Sequence, residues 1–227
     1  MICHKKKLIF IHIPKCAGSS INSFYFGNQK LNWKEPNYGS LHGWCPQRKI
    51  HLQHATAQEL LETDLVSKQN WKEYFKFTFI RNPWDRAYSD YLWIQKDRKI
   101  HGNFKEYLLQ EGPFDKVLND KNTMEYRGDH VVPQSDFFSE EGMYKLDFVG
   151  RFENLNADIE NINQQLSISE VFQTHAKKSR NRFSHYSHFY TNSWKKSVEQ
   201  KYKNDIEIFG YQFDDRRKGL LALKKWL

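Results

Sequence analysis

The sequence predicts an α/β fold, with a central parallel sheet flanked by helices. Three apolar, strand-like runs lie far apart in the chain, at residues 8–13, 75–80 and 146–151, and a helix-like segment follows each of them. Strands that alternate with helices in this way pair in parallel, because each helix crosses over the sheet between two strands. The 227 residues fit one domain, 1–227, which is long enough to bury a hydrophobic core.

The first strand and helix flank a loop of small residues. The strand, 8–13, is an unbroken apolar run that stops at Pro14-Lys15, and a helix is expected over residues 19–26. Four glycine and proline breakers then predict an irregular segment over residues 28–53.

Later elements carry clearer signals. Thr56 and Glu59 form a capping box, in which a hydroxyl and a carboxylate each satisfy a free N–H group at a helix start, and this helix should end near residue 65. Residues 75–80 alternate like a strand, and Pro83 then suits the first position of a helix that runs to about residue 96. Further helices are expected around residues 159–162 and over 194–209.

The charge of the chain is unevenly distributed. Residues 1–176 hold 22 Lys/Arg and 22 Asp/Glu, whereas residues 177–227 hold 13 Lys/Arg and 5 Asp/Glu, so the formal net charge of +8 lies in the last segment. This segment predicts either a solvated basic surface or a cover over a polyanion. Its tract KKSRNRFSHYSHFY, 177–190, also interleaves bases and aromatics as nucleic-acid sites do, but no nucleic-acid-binding motif accompanies it, so no nucleic-acid partner is expected.

Hydropathy and cysteine content argue against a membrane-spanning, secreted, disulfide-bonded or metal-binding protein. No apolar run approaches the ~20 residues of a membrane span. The basic, then apolar N-terminus loosely resembles a secretory signal, but Lys15 follows at once and no A-x-A pattern appears, so a cytoplasmic location is predicted. Cys3, Cys16 and Cys45 give neither a disulfide framework nor a metal-site spacing, and no metal is expected.

The stretch IHIPKCAGSS, residues 11–20, is the first candidate site. A strand, a turn of small residues and a helix start bring backbone N–H dipoles together, and Lys15 adds a cation, so the pattern indicates an anion site. The Walker A pattern of nucleotide kinases, G-x-x-x-x-G-K-[ST], is not matched, because Lys15 precedes Gly18 and no glycine opens the loop. An ordinary strand-to-helix turn is the alternative.

A second motif, IRNPWDRAYSDY, follows the strand at 75–80. Arg81 offers a planar fork for a phosphate, and Ser89, two turns into the helix, offers a hydroxyl. Taken singly, Arg81 could be a salt-bridge partner and Ser89 a surface residue. Ligands bind at the carboxyl ends of parallel strands, so the Lys15 loop and Arg81 together predict a ligand with two separated phosphate-like groups.

With these two motifs the chain resembles the sulfotransferases, in the branch that sulfates carbohydrates and is typified by heparan sulfate 2-O-sulfotransferase. Four further stretches are similar to that branch: HATAQEL at 54–60, VVPQSDFF at 131–138, FVGRFENL at 148–155 and DIEIFGYQF at 205–213. The resemblance implies a P-loop-like sulfotransferase fold. It also implies 3′-phosphoadenosine-5′-phosphosulfate (PAPS) as sulfuryl donor, with 3′-phosphoadenosine-5′-phosphate (PAP) as product.

The resemblance also assigns residues to the nucleotide. The 5′-phosphosulfate would be held by the loop, that is by Lys15, Cys16, Ala17, Gly18, Ser19 and Ser20. Arg81 and Ser89 would hold the 3′-phosphate. The tract within 177–190 resembles a loop that covers the nucleotide in relatives, which adds Ser179, Arg180 and Arg182. Cys16 stands where threonine is common in the family.

The implied acceptor is a hydroxyl group of a carbohydrate or glycoconjugate, with acidic acceptors included. Lys15 would stabilise charge that develops on the leaving phosphate oxygens, and a base with a near-neutral pKa is needed for the hydroxyl proton. In the resembled branch the base is the histidine before the helix, which here is His54. His51 and His42 in the same segment are alternatives, and His54 could instead cap the neighbouring turn.

The resemblance places acceptor contacts near the VPQ segment. The candidates there are Arg127, His130 and Gln134, and His51 of the irregular segment is a further candidate for acceptor binding. Two other functions remain open. A magnesium-dependent kinase lacks its Walker A pattern here, and a non-catalytic binder of anionic glycans or nucleic acid leaves Lys15, Arg81 and Ser89 unexplained. No oligomeric state is predicted.

Overall fold

The structure is a computed structural model, and it describes residues 1–27, 32–173 and 183–226. It confirms a mixed α/β architecture in which a central, mostly parallel sheet is flanked by helices. None of the helices in these described ranges combines the length and apolar character that crossing a bilayer requires.

The chain is organised as two compact units. The first contains residues 1–27, 32–81, 121–124 and 134–173 of the described chain. The second contains residues 82–120, 125–133 and 183–226. The single domain expected over 1–227 stays a prediction.

The first unit contains all of the strands in the described chain. They are β1 (Ile2–Cys3), β2 (Leu8–Ile11), β3 (Trp44–Cys45), β4 (Ile50–His51), β5 (Phe75–Ile80) and β6 (Phe148–Arg151). The main sheet has the order β1-β2-β5-β6, and β3 pairs with β4 in a small antiparallel ribbon. The three long strands run parallel, as predicted, whereas the two-residue β1 adds antiparallel to β2. Two residues are too few to show a strand period, so β1 was not predicted.

The register aligns the carboxyl ends of the parallel strands at one edge of the sheet. Ile11 at the end of β2 pairs with Thr78 of β5, and the end of β5 pairs with Arg151 of β6. The Thr78 hydroxyl also donates a hydrogen bond of 2.6 Å to the carbonyl oxygen of Ile11. β2 is buried along its whole length but stops two residues before the predicted end. The chain that leaves β2 therefore enters its loop beside the end of β5.

The helices, in chain order, are α1 (Gly18–Ile21), α2 (Ala57–Glu62), α3 (Lys68–Glu73), α4 (Pro83–Arg98), α5 (Phe104–Leu109), α6 (Asp115–Asn119), α7 (Leu155–Gln165), α8 (Asn192–Lys201) and α9 (Lys203–Phe209). A π-helical turn, Asn22–Phe26, continues α1. Short 3₁₀ segments lie at Leu52–His54, Gly112–Phe114, Gly128–Val131, Gln134–Phe137, Gly142–Tyr144, Phe152–Asn154, Tyr186–His188 and Gly219–Lys225.

Several helices begin where capping residues or a proline in the sequence predict a helix start. At α2 the Thr56 hydroxyl accepts from the N–H of Glu59 at 3.1 Å, and the Glu59 carboxylate accepts from the N–H of Thr56 at 2.8 Å, which confirms the capping box. Pro83 is the first residue of α4, as predicted. The same reciprocal cap, formed by Asn103 and Glu106, begins α5, and its spacing of three residues is a recognisable sequence signal.

The prediction of one continuous helix over 194–209 is wrong, because the structure has two helices there. Tyr202 (φ −113°, ψ 34°) leaves helical geometry and separates α8 from α9. Its ring is buried, and its hydroxyl donates to the carbonyl oxygen of Val131 at 3.2 Å. A tertiary contact of this kind overrides helix propensity, which contributes only tenths of a kcal/mol per residue, about 0.7 at most for ordinary residues.

Aromatic side chains dominate both cores. In the first unit Phe10 of β2 stacks on Phe77 of β5 with ring centroids 5.0 Å apart, and Tyr25 meets Phe77 edge to face. In the second unit Phe104 of α5 packs edge to face against both Phe189 and Tyr190. Within the first unit, the contact between Phe10 and Phe77 packs β2 against β5.

Candidate active site

The loop between β2 and α1 has an unusual backbone. Lys15 (φ 69°) and Ala17 (φ 66°) both lie in the left-handed region, which residues with a side chain rarely occupy. A left-handed residue followed by a right-handed one, as at Ala17-Gly18, turns successive N–H groups to the same side and forms an anion-binding nest. Strain of about 1–3 kcal/mol at such residues is typical of ligand-binding loops. Of the other loop residues, Cys16 is buried, Ser19 is exposed and Ser20 is half-buried.

Arg81 connects this loop to the end of β5. Its side chain is only 3% exposed, and Nη1 donates a hydrogen bond of 2.8 Å to the carbonyl oxygen of Lys15. The guanidinium carbon lies 4.0 Å from the centre of the Phe152 ring, within the range of a cation–π contact. The two residues predicted at separate phosphate subsites, Lys15 and Arg81, are thus brought together in the first unit.

Gln134 fixes the main chain of Arg81. Its side chain is fully buried, its Oε1 accepts from the N–H of Arg81 at 2.8 Å, and its Nε2 donates to the Arg81 carbonyl oxygen at 2.9 Å. The Cys16 thiol donates to the same Oε1 at 3.5 Å and to the carbonyl oxygen of Pro14 at 3.6 Å. Gln134 was predicted to contact the acceptor, and Cys16 the nucleotide. These contacts direct both side chains into the protein.

We expect Gln134→Leu to destabilise the protein strongly, because leucine fills a similar volume but leaves the buried N–H and carbonyl oxygen of Arg81 without this partner. Each unsatisfied buried group costs about 1–3 kcal/mol, so the free energy of unfolding should fall by roughly 2–4 kcal/mol in urea titrations. Gln69→Leu, on exposed α3, is the control and should change it by less than about 0.5 kcal/mol. Equal stability of the two variants would contradict the role of this clamp.

The His12 ring lies beside both His54 and Gly18. The His54 ring centre is 4.6 Å from that of His12, and the His12 ring stacks on Phe10 at 5.4 Å. A Cβ atom built on Gly18 would come within 1.7 Å of His12 Nε2, so only glycine leaves room for this ring. No sequence pattern connects Gly18 with a histidine ring, so this contact was not predicted.

The contact of His54 defines its tautomer. Nδ1 lies 3.0 Å from the carbonyl oxygen of His12, and a carbonyl oxygen can only accept a hydrogen bond. Nδ1 therefore carries the proton, which leaves the lone pair of the neutral ring on Nε2. A histidine held in this way is oriented to take up a proton at Nε2.

Gly18→Ala is expected to force the His12 ring out of its place between Phe10 and His54. Overpacking of this kind costs about 1–3 kcal/mol of unfolding free energy, measurable in urea, and should also lower any activity that depends on His54. Gly39→Ala is the matched control, because its Cβ would meet only an ordinary contact at 3.5 Å. A Gly18→Ala variant as stable as Gly39→Ala would show that the loop yields without cost.

His51 and His42, the alternative candidates for the general base, have surroundings that differ from those of His54. His51 on β4 is 3% exposed, and its ring lies 5.0 Å from that of Trp44 and 6.4 Å from that of Trp33. His42 is half-buried, and burial lowers its pKa.

The remaining predicted residues with described positions belong to the second unit. Ser89 is half-buried on α4. His130 stacks on Trp93 at 4.6 Å, and its Nδ1 lies 2.6 Å from an oxygen of Asp90. Arg127 is 6% exposed, and burial, followed by the charge of Arg98, lowers the pKa of its guanidinium group.

Arg86, the second arginine of the motif, was not singled out by the sequence. Its side chain is 2% exposed and donates to the carbonyl oxygens of Val132 at 3.0 Å and His130 at 2.8 Å. It therefore fixes the main chain around His130. Ser179, Arg180 and Arg182, which were predicted to reach the 3′-phosphate, lie outside the described residues.

Comparison with known proteins assigns the chain to a protein family. An uncharacterized protein from Archaeoglobus fulgidus is 26% identical over 106 residues, which cover 46% of this chain and 78% of that protein. No solved structure matches the chain. The family model described as "Sulfotransferase family" matches residues 1–212. This match spans the nest loop, the Arg81 motif and the sheet between them, so the chain belongs to the sulfotransferase family.

Proposed function

We propose that this protein transfers a sulfuryl group from PAPS to a hydroxyl group of a carbohydrate or glycoconjugate. Membership of the family supports sulfuryl transfer in general, and the family generally uses this donor. The observation that carries the proposal is the hydrogen bond of 2.8 Å between Arg81 Nη1 and the carbonyl oxygen of Lys15. It joins a nest with a lysine to a buried arginine at one sheet edge.

This donor set fits a nucleotide with separated phosphate groups. The nest N–H groups and the Lys15 ammonium suit the 5′-phosphosulfate, because backbone dipoles and a cation both favour negative charge. We assign the 3′-phosphate to Arg81, Ser89 and the segment with Ser179, Arg180 and Arg182, as the resemblance implies. The cytoplasmic location and the single domain over 1–227 stay predictions.

His54 is proposed as the general base. Its Nε2 would accept the proton of the acceptor hydroxyl while the oxygen forms its new bond to sulfur. The His12 carbonyl oxygen at 3.0 Å would stabilise the imidazolium that results, because it accepts from Nδ1–H in both protonation states. Lys15 and the nest would stabilise the charge that grows on the bridging oxygen as its bond to sulfur breaks. When bound, PAPS supplies the sulfuryl group and leaves as PAP.

Nucleotide selectivity tests the proposal. PAP and 5′-AMP differ only in the 3′-phosphate, whose charge-assisted hydrogen bonds contribute about 1.5–3 kcal/mol each. We therefore expect calorimetry to show PAP binding at least about tenfold more tightly than 5′-AMP, with no requirement for magnesium. Equal affinities for the two nucleotides would contradict the proposed donor. Tighter binding of magnesium-ATP would favour a kinase.

The acceptor class is tested by transfer of labelled sulfate. The protein should move label from PAPS to a desulfated glycosaminoglycan, because its hydroxyl groups match the proposed acceptor. Label found only on protein tyrosine or on small phenols would contradict the carbohydrate assignment, while sulfotransfer itself would stand.

A further inference from the structure

The 3₁₀ helix Gly219–Lys225 carries an apolar stripe on its outer side. A 3₁₀ helix has three residues per turn, so side chains three apart lie in one row. Leu220, Leu223 and Trp226 have this spacing, and they are 87%, 61% and 88% exposed. Large apolar side chains exposed singly are ordinary, but three in one row indicate a surface that contacts another partner.

The inner side of this helix is attached to the second unit. Lys224 Nζ donates to the carbonyl oxygen of His188 at 2.7 Å, and it lies 5.2 Å from the centre of the Phe183 ring. Leu221, three residues before Lys224 and therefore in the same row, is half-buried. The segment is thus a fixed element with two different faces, and its apolar row points outward.

Basic residues surround the stripe. Residues 214–226 contain five basic and two acidic side chains. Both acids are engaged. Asp214 pairs with Arg216 at 2.7 Å, and Asp215 pairs with both Arg217 at 2.9 Å and Lys225 at 3.3 Å, so three net positive charges remain in this segment. Lys218 and Lys225 flank the apolar row and are exposed. The surface therefore presents apolar side chains bordered by net positive charge.

We propose that this stripe docks the protein on an anionic lipid surface. Leucine and tryptophan side chains suit the boundary between headgroups and acyl chains, and flanking lysines are attracted to acidic headgroups. Heparin and nucleic acids would satisfy the charge but not the apolar row. A second copy would bring two basic surfaces together, and three side chains fall far short of the roughly 1,000 Å² that a stable interface buries.

This inference goes beyond the proposed function and does not depend on it. The family match ends at residue 212, so the stripe lies in a part of the chain outside that match. Its test needs no sulfotransfer assay.

Vesicle co-sedimentation of the full chain tests the proposal. We expect the protein to partition onto phosphatidylcholine vesicles that contain about 30% phosphatidylserine at least about tenfold more strongly than onto pure phosphatidylcholine. The triple change Leu220→Ser, Leu223→Ser and Trp226→Ser should reduce this binding at least about tenfold. The matched control is Leu109→Ser with Ile208→Ser, two residues that are 57% and 47% exposed elsewhere in the second unit. It should bind as the unchanged protein does.

Several outcomes would overturn the proposal. One is full vesicle binding by the triple variant, and another is equal binding to neutral and anionic vesicles. A third is the absence of vesicle binding together with a dimer that the triple change abolishes, which would make the stripe a contact between copies. Binding to heparin without binding to vesicles would show that charge alone acts. Because the three residues are exposed, the triple variant should keep its thermal midpoint, which confirms that it is folded.

Discussion

Replacing His54 by alanine is expected to lower sulfuryl transfer by roughly 10²–10⁴-fold, the usual contribution of a general base. Binding of PAP should change little, because the imidazole is proposed to act on the acceptor hydroxyl. In the unchanged protein kcat should rise with pH as the ring loses its proton, since only the neutral form can accept one. That rise should be absent from the variant. Transfer of labelled sulfate across pH and calorimetry with PAP measure the two effects.

The change His54→Asn separates catalysis from positioning. The asparagine amide can occupy the position of Nδ1 and donate to the His12 carbonyl oxygen, but it cannot act as a base at Nε2. It should be as inactive as alanine while the loop stays ordered. The exposed His101→Ala is the matched control and should keep full activity. If His54→Asn turns over normally while His51→Ala or His42→Ala does not, the base is misassigned.

Lys15→Ala is the second change with a large expected effect. Removal of one group that stabilises a leaving oxygen typically costs about 10²–10³ in kcat. Since the charge on that oxygen grows most as the bond to sulfur breaks, the fall in kcat should exceed any rise in KM for PAPS. Steady-state kinetics with PAPS provide the measurement.

Residue 15 has a left-handed backbone, so a substitution there can change backbone strain as well as charge. Alanine keeps the Cβ of lysine at φ 69°, so Lys15→Ala removes the charge without relieving the strain. Lys15→Gly relieves the strain as well and should show a similar loss if the charge is what matters. Lys72→Ala on α3 is a control for loss of an exposed cation. A near-normal kcat in both Lys15 variants would mean that this lysine does not act on the leaving group.

Much of the fold could be predicted because it depends on local rules. Phe75–Ile80 alternates and is soon followed by Asn82-Pro83, and the prediction matched β5 residue for residue. The caps at Thr56 and Pro83 fixed the starts of α2 and α4. The break at Tyr202 could not be predicted, since it depends on a hydrogen bond to Val131, which is 71 residues away in the chain.

The candidate site was predictable to a smaller extent. Motifs identified Lys15, Arg81 and His54, because phosphate and proton chemistry need those residue types near strand ends. The motifs did not indicate that the Gln134 amide holds the main chain of Arg81, or that Phe152 lies under its guanidinium. Such contacts depend on side-chain directions across 53 and 71 residues of sequence, and a single chain gives no pattern for them.

The bonds around Arg81 have a consequence for grafting and chimera experiments. Position 15 accepts from the Arg81 guanidinium through its main-chain oxygen, and position 134 holds the main chain of Arg81 at both its N–H and its carbonyl oxygen. Hydrogen bonds therefore hold together three segments that are distant in sequence, those around residues 15, 81 and 134. A loop transplanted into another scaffold without its arginine and glutamine would lose the Arg81 bond to the Lys15 carbonyl oxygen and the Cys16 contact with Gln134. Successful exchange with a relative should require all three segments to be transferred together.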